Sequence, residues 1–302
     1  MTAGAVLDLG GMRVDAIVEF DALPVPRAML FPDLDDAAAA VDAGWMAPDF
    51  LDPATDCFLL RHQGWLVRTP RLTMVVDCAA GDAGTAAAAP RGRSDWCSNL
   101  AALGVDPQAV DIVVNTHLHA GHVGWNTRST ADGRVPTFAK ADYLIGRNEL
   151  EYWFTEDLRG PAPQRRLLDD HVLPVLDAGL GRFVDQSHEI TEGVILEPAY
   201  GHTPGHMIVR LTGGDGEAVI AADVMHQPLQ VRRPDLSSGF CVDRTVAAAT
   251  RRAFLRRFCD TPTVILPTHF RRGTAGLIVA AEDGYDYRFG IPENLKATDR
   301  AR

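Results

Sequence analysis

Three histidines within six residues constrain this chain more than any other feature of its sequence. His117, His119 and His122 follow directly on Asp111–Asn115, an apolar run typical of a short buried strand. Side chains two residues apart on an extended backbone point the same way, so His117 and His119 can grip one ion together. The turn that follows can aim His122 at a different position. We therefore predict a metal site, because imidazole nitrogen is a favoured ligand of zinc.

Three later segments supply side chains that such a site needs. A turn rich in glycine and proline, between two predicted strands, carries His202. The predicted strand Ala218–Ala222 runs into Asp223, and the predicted strand Thr263–Pro267 is followed after one residue by His269. Loops at strand ends, held by a rigid scaffold, are where catalytic groups concentrate.

The other patterns predict a β-rich first part, a mixed middle part, and strands followed by a helix. The further predicted strands are Val14–Phe20, Cys57–Arg61, Leu66–Arg68, Leu72–Val76, Ala141–Ile145, Val194–Pro198 and Met207–Leu211. The predicted helices are Ser94–Leu103, Asn148–Leu158 and Val246–Phe258, with helical structure also in Gly160–Arg182. This order suits two packed sheets flanked by helices in one domain over residues 1–302. Within it, residues 21–56 form a helix-containing segment that could cover a pocket.

Composition excludes some classes of partner. The net charge of −11 argues against nucleic acid and anionic membranes, since binding phosphates needs a basic surface. The five cysteines are an odd number without C-x-x-C spacing, which favours reduced thiols. The chain begins without the pattern of a signal peptide and has no apolar run of transmembrane length, so we expect a cytoplasmic protein.

Taken together, the motifs resemble one family. The order H-x-H-x-x-H, G-H-T-P-G-H, a strand-ending aspartate and P-T-H resembles the metallo-β-lactamase superfamily of metal-dependent hydrolases, from about Val14 to His269. The segment Ala222–Pro228 is similar to the branch that contains N-acyl homoserine lactonases and organophosphate hydrolases. The resemblance implies an α/β fold: an αββα sandwich of two mixed β-sheets flanked by helices, with the metals at one edge between the sheets.

The resemblance also implies roles for individual residues. It implies one or two Zn²⁺ ions per chain, the first held by His117, His119 and His202, the second by His122 and His269, with Asp223 bridging them. Asp223 and His226 are the candidate catalytic residues. Asp77 is either a carboxylate that orients a ligand imidazole or a turn cap. His206 is expected to be a structural partner of the site, and His62, His171 and His188 to be surface or structural residues.

The chain departs from the family at Gly121, where the motif H-x-H-x-D-H has an aspartate that binds the second metal. Glycine has no side chain, so the resemblance implies a weakened second site. Three interpretations stay open. The substitution could have been made to disable an enzyme, it could be natural in a branch that works with one metal or a loosely held second one, or the chain could bind a ligand without turnover.

The predicted function is therefore zinc-dependent hydrolysis of a small ester-like substrate by metal-activated water, with a lactone favoured. Phosphotriesters, thioesters and β-lactams are alternatives within the same chemistry. A member of the family that binds a small molecule without turning it over is the alternative from a different class. A homodimer is left open.

Overall fold

The structure, a computed structural model, describes residues 6–81, 96–157 and 162–296. Its strands are β1 (Val6–Asp8), β2 (Arg13–Pro26), β3 (Leu51–Asp52), β4 (Cys57–Arg68), β5 (Thr73–Val76), β6 (Ile112–Asn115), β7 (Thr127–Thr130), β8 (Gly133–Pro136), β9 (Asp142–Gly146), β10 (Gly181–Val184), β11 (His188–Thr191), β12 (Val194–Pro198), β13 (Met207–Thr212), β14 (Glu217–Ala222), β15 (Val264–Pro267), β16 (Gly276–Ala281) and β17 (Gly284–Phe289). Its helices are α1 (Arg27–Leu30), α2 (Asp36–Met46), α3 (Trp96–Ala102), α4 (Ala120–Val123), α5 (Arg147–Asp157), α6 (Ala162–His171), α7 (Leu173–Asp177), α8 (Leu229–Arg232) and α9 (Arg244–Phe258).

Most of the strands form two large sheets. The first sheet has the order β1-β2-β4-β5-β6-β9-β10, with β3 paired to β4, and the second runs β11 to β17 in sequence order. Both sheets are mixed, because β5, β6, β9 and β10 pair in parallel in the first and β14 pairs in parallel with β15 in the second. Strands β7 and β8 form a separate hairpin.

Alternating side chains divide the core into layers. On β4, Trp65 and Val67 are buried with Val209 and Ile220 of the second sheet, so this cluster lies between the sheets. Leu66 points to the opposite face and packs in a cluster with residues of α3. The outer face of the second sheet is covered in the same way by α9. The layer order is helix, sheet, sheet, helix, which confirms the predicted αββα sandwich.

Strand direction brings the predicted ligand residues of the motifs to one edge of the sandwich. The parallel strands β5 and β6 end together, so Asp77 and the loop that begins at Thr116 lie side by side. The parallel strands β14 and β15 likewise end together and place Asp223 near His269. In sheets of this kind, ligands bind beyond the carboxyl ends of the strands.

Several predicted elements differ from the observed ones. The two strands predicted within residues 57–68 are one continuous strand, β4. Gly64 lies between the two predicted strands, and a β-carbon there would lie 2.1 Å from the backbone oxygen of Asp77, so glycine permits the close approach of the chain that follows β5. Residues 21–56 contain the end of β2 as well as α1 and α2. The segment 160–182, predicted to be helical, contains α6 and α7 and ends in the strand β10. The hairpins β7–β8 and β16–β17 were not predicted. Residues 94 and 95 of the predicted helix Ser94–Leu103 lie outside the described residues.

Two further observations concern the described residues only. None of the helices that the structure describes is long and apolar enough to cross a bilayer. The cysteines form no disulfide; they are Cys57, Cys78, Cys97, Cys241 and Cys259.

Candidate metal centre

Asp223 lies at the centre of a cluster of imidazoles. Ala222, the last residue of β14, has a φ of 44°, and this left-handed conformation turns the chain out of the strand directly before Asp223. The carboxylate is 4% exposed. Its Oδ2 lies 3.6 Å from Nε2 of His117, 3.3 Å from that of His122, 3.2 Å from that of His202 and 3.3 Å from that of His226, and its Oδ1 lies 3.1 Å from Nε2 of His269.

Three of the predicted ligands converge on one point. Ring nitrogens of His117, His119 and His202 lie within 4.8 Å of one another. Nδ1 of His119 is 2.9 Å from Nε2 of His202. Two further groups satisfy the same distance, one of His117, His122 and Asp223, the other of His202, Asp223 and His226. His269 belongs to none of these three groups, although it touches Asp223.

Glu149 of α5 ties together the two loops that carry this first group. Its Oε1 accepts a hydrogen bond of 2.9 Å from the backbone N–H of Leu118, and its Oε2 accepts one of 3.0 Å from that of Gly205. The indole of Trp153 donates to Oε1 at 2.6 Å. Glu149 is fully buried. Sequence analysis did not find it, because nothing in a helical glutamate 27 or more residues from either motif signals such a contact.

Asp77 orients His122. One carboxylate oxygen accepts the backbone N–H of Thr116 and the other its hydroxyl, both at 2.8 Å. The second oxygen also lies 2.8 Å from Nδ1 of His122. Since a carboxylate only accepts, Nδ1 carries a proton, and Nε2 is the nitrogen that faces Asp223 and could bind a metal after losing its own proton. The Thr116 oxygen in turn lies 3.1 Å from Nδ1 of His117, which directs Nε2 of that ring into the site as well.

Backbone carbonyls orient two more rings. Nδ1 of His269 donates to the carbonyl of Arg61 at 2.7 Å, leaving Nε2 to face Asp223. His206 donates from Nδ1 to the carbonyl of Ala199 at 3.0 Å, and its Nε2 accepts the backbone N–H of Asp223 at 3.1 Å. Both nitrogens of His206 are therefore satisfied, and it holds the backbone of Asp223.

Burial and charge set the protonation of the cluster. Burial lowers the pKa of His117 and His202 well below the usual range and that of His119 to about 3, so these rings are neutral and can offer lone pairs. Burial would also lower the pKa of His122, but the carboxylates of Asp223 and Asp77 raise it to about 10. Burial alone would raise the pKa of Asp223, yet the surrounding imidazoles, His122 first, bring it well below its usual range.

The donor set fits a metal ion. Nε2 of His117, Oδ1 of Asp223 and both ring nitrogens of His226 are buried without a hydrogen-bond partner. Buried polar atoms are almost always satisfied in proteins, so a cluster of such atoms facing one another indicates a missing partner. Imidazole nitrogens with one carboxylate are the donors that zinc and its neighbours in the periodic table prefer.

A cavity of about 410 Å³ opens onto the cluster. The side chains at its floor are His119, His122, Asp223, His226 and His269, together with Gly121. Its apolar walls are Leu23, Val25, Met29, Leu60 and Phe240. Three of these wall residues come from the segment 21–56, and Met29 and Phe240 are exposed at 51% and 39%.

His62 of β4 also lines this cavity. Its Nδ1 is buried without a hydrogen-bond partner, and its ring lies 5.0 Å from that of His269, centre to centre. The expectation of a surface or satisfied structural histidine is therefore wrong for this residue. No sequence motif includes His62, so only the fold could bring it to the site.

Most of the chain matches a known protein family. A family model described as the metallo-beta-lactamase superfamily matches residues 59–269. The chain belongs to this superfamily. The match spans the segment from β4 to His269 and so includes all six predicted ligands.

Relatives with assigned functions match over a shorter stretch. The chain is 35% identical over 119 residues to N-acyl homoserine lactonase AttM of Azorhizobium caulinodans, which is 38% of this chain and 41% of that protein. It is 36% identical over 117 residues to N-acyl homoserine lactonase AttM of Agrobacterium fabrum, which is 37% of this chain and 40% of that protein. The alignments thus span about two fifths of these relatives.

Solved structures match over nearly the whole chain. Hydrolase AbOPH of the beta-lactamase superfamily matches with a TM-score of 0.79 at 21% identity, and the alignment covers 95% of this chain and 98% of the AbOPH chain. AidC, a dizinc quorum-quenching lactonase, matches with a TM-score of 0.77 at 19% identity, and the alignment covers 96% of this chain and 98% of the AidC chain. At these identities the likeness shows a shared fold.

Proposed function

We propose that the protein is a zinc-dependent hydrolase of small ester-like compounds and that lactones are its preferred substrates. The observation that carries the proposal is the set of imidazoles around Asp223 at the floor of an open cavity. The lactonase relatives and the apolar cavity walls support a substrate with a polar head and an acyl chain. Met29 and Phe240, exposed at the wall, would contact such a chain.

The metal and the protein contribute different parts of the chemistry. His117, His119 and His202 would hold one ion, while His122 and His269 would contribute to a second and Asp223 would lie between the two. Bound zinc acidifies water to a pKa of about 7 and polarises the oxygen of a substrate carbonyl. The rings of His117, His119 and His202 are already neutral, so they bind without first losing a proton.

Two residues of the chain act on the reacting groups. Asp223 remains ionised, because its pKa is well below its usual range, and its Oδ1 has no hydrogen-bond partner. We assign it to orient the attacking water by accepting a hydrogen bond, while the alkoxide released by ring opening takes up the proton. His226 is neutral, since burial lowers its pKa, and its unpartnered ring faces the cavity. It would donate a hydrogen bond to the oxygen that becomes negative.

The test measures hydrolysis and metal content on the same protein. Zinc-loaded enzyme is assayed against acyl homoserine lactones of several chain lengths, a phosphotriester, a thioester and a β-lactam, with acid release followed in a pH-stat. We expect turnover of lactones that falls at least 100-fold in Asp223→Asn. The matched control is Asp132→Asn, an exposed residue of the β7–β8 turn, which should behave as wild type. Zinc-loaded protein that hydrolyses nothing on the panel would contradict the proposal.

Gly121 favours one alternative, a protein that binds a small molecule without turning it over. The motif aspartate that would complete the second metal position is absent. Isothermal titration with an acyl homoserine lactone separates the two functions. Binding of intact lactone, recovered unchanged after hours with the zinc-loaded protein, would support the alternative.

A further inference from the structure

The space beside Gly121 is filled by another side chain of this chain. A β-carbon built on Gly121 would lie 3.3 Å from Cε1 of His62 and 3.6 Å from its Nδ1. The same β-carbon would lie 4.0 Å from Cε1 of His269. A carboxyl group at position 121 would therefore have to share its space with the His62 ring. The chain lacks an aspartate at this point but has an imidazole there.

His62 is held in this place by its neighbour. The backbone N–H of Arg61 donates to the carbonyl of His269 at 3.0 Å, and the His269 ring donates back to the carbonyl of Arg61 at 2.7 Å. These two bonds fix the strand residue before His62 directly against the predicted ligand His269. The ring of His62 consequently lies 5.0 Å from that of His269, at an interplanar angle of 54°. Neither ring belongs to the three groups of ligand atoms that lie within 4.8 Å of one another, so both would have to move towards an ion to bind it.

The chemistry of His62 suits a ligand better than a packing residue. Its Nδ1 is buried and has no hydrogen-bond partner. An unsatisfied buried polar atom destabilises the folded protein, and a bound cation would offset this cost. No carboxylate other than that of Asp223 lines the cavity among the described residues, so the donors around it are dominated by imidazole.

From this juxtaposition we propose that His62 takes the place of the missing aspartate and, with His122 and His269, holds the second metal ion. The proposal rests on the metal-dependent function proposed above. An imidazole brings no negative charge, so the second site has one negative charge fewer than an aspartate would provide. Nitrogen-rich sites favour Zn²⁺ and Co²⁺ over Mn²⁺ and Mg²⁺. The second ion should therefore be zinc or cobalt, and it should bind more weakly than the first.

The experiment counts metal ions instead of turnover. Wild type, His62→Ala and the exposed control His188→Ala are titrated with Zn²⁺ and with Co²⁺ against a competing chelator, and bound metal is measured by mass spectrometry. We expect two equivalents in wild type and in the control. His62→Ala should keep the first equivalent and bind the second at least 10-fold more weakly. Visible spectra of the cobalt forms should lose the absorption of the second ion only.

A rescue variant tests the exchange of one side chain for the other. Gly121→Asp in the His62→Ala background should recover the second equivalent, because the space beside residue 121 is then free. Gly121→Asp alone should not bind the second ion more tightly than wild type, since the aspartate meets the His62 ring. His226→Ala serves as a comparison, because His226 also lies near Asp223 and is the competing candidate for a ligand.

Histidine ring nitrogens can also be followed by NMR in the unaltered protein, which makes the test independent of how the variants fold. Six rings should shift on saturation with zinc, and His62 should be among them. Five shifting rings without His62, a single equivalent in wild type, or a second equivalent that depends on His226 and not on His62 would each overturn the proposal. These outcomes are separate from the lactone assay, since metal binding is read without substrate.

Discussion

Replacing Asp77 by asparagine should weaken metal binding through the orientation of one ring. The carboxylate holds a proton on Nδ1 of His122, at 2.8 Å, so that Nε2 is the nitrogen left to bind a metal. An asparagine keeps the shape but turns an NH₂ group towards Nδ1. The proton of His122 then moves to Nε2, the nitrogen that the metal needs. Flipping the amide instead would set its NH₂ against the backbone N–H of Thr116, which donates to Asp77 at 2.8 Å.

The expected loss of metal affinity is about 10- to 100-fold, or about 1.4–2.8 kcal/mol. This is the range found when a carboxylate that hydrogen-bonds a metal-binding histidine is removed from other proteins. The assay is chelator competition with both equivalents of zinc resolved, and the loss should concern the ion that His122 binds. Asp260→Asn is the matched control. Asp260 also has a positive φ, 55° against 60° for Asp77, and also accepts a backbone N–H, but it lies at the exposed end of α9. Wild-type affinity in Asp77→Asn would refute the reasoning.

Three further predictions follow from contacts elsewhere in the structure. Glu149→Gln should lower the free energy of unfolding by about 1–3 kcal/mol in denaturant titrations, because the new NH₂ must face either the N–H of Gly205 or the N–H groups of Leu118 and Trp153; an unchanged midpoint would contradict this role of Glu149. Burial would raise the pKa of Glu197, but hydrogen bonds and charge from Arg257 and Arg210 lower it overall. The ionised carboxylate therefore stabilises the folded protein above pH 4.5, and this stabilisation is lost as the pH falls through the lowered pKa. Glu197→Gln should thus cost up to about 1 kcal/mol at pH 7 and less at pH 3, and an equal cost at both would contradict this. Removing metal with a chelator should lower the thermal midpoint, since an ion at 100 times its dissociation constant stabilises the native state by about 2.7 kcal/mol; identical melting curves with and without zinc would contradict it.

Much of the fold could be predicted because its signals are local. Continuous apolar runs located buried central strands such as β6 and β14, and alternation located the first half of β2, since a half-buried strand repeats every two residues. The same patterns failed where a neighbour decides the outcome. Gly64 is typical of a turn, yet it continues β4 because the backbone at Asp77 passes too close for any side chain. The hairpin β16–β17, which forms one edge of the second sheet, was not predicted either.

His117, His119 and His122 show most clearly what local sequence predicts and what the fold decides. Their residue types and spacing are properties of one short segment, and backbone geometry alone predicts that they can share a metal. What they face depends on strand order and register across the two sheets. The fold sets Asp223 among five imidazoles, ties two loops through Glu149, and brings His62 to the space beside Gly121, 59 residues away in sequence. Contacts between distant segments depend on how whole sheets pack, so the sequence alone determined the kind of site, and the tertiary structure decided which side chains complete it.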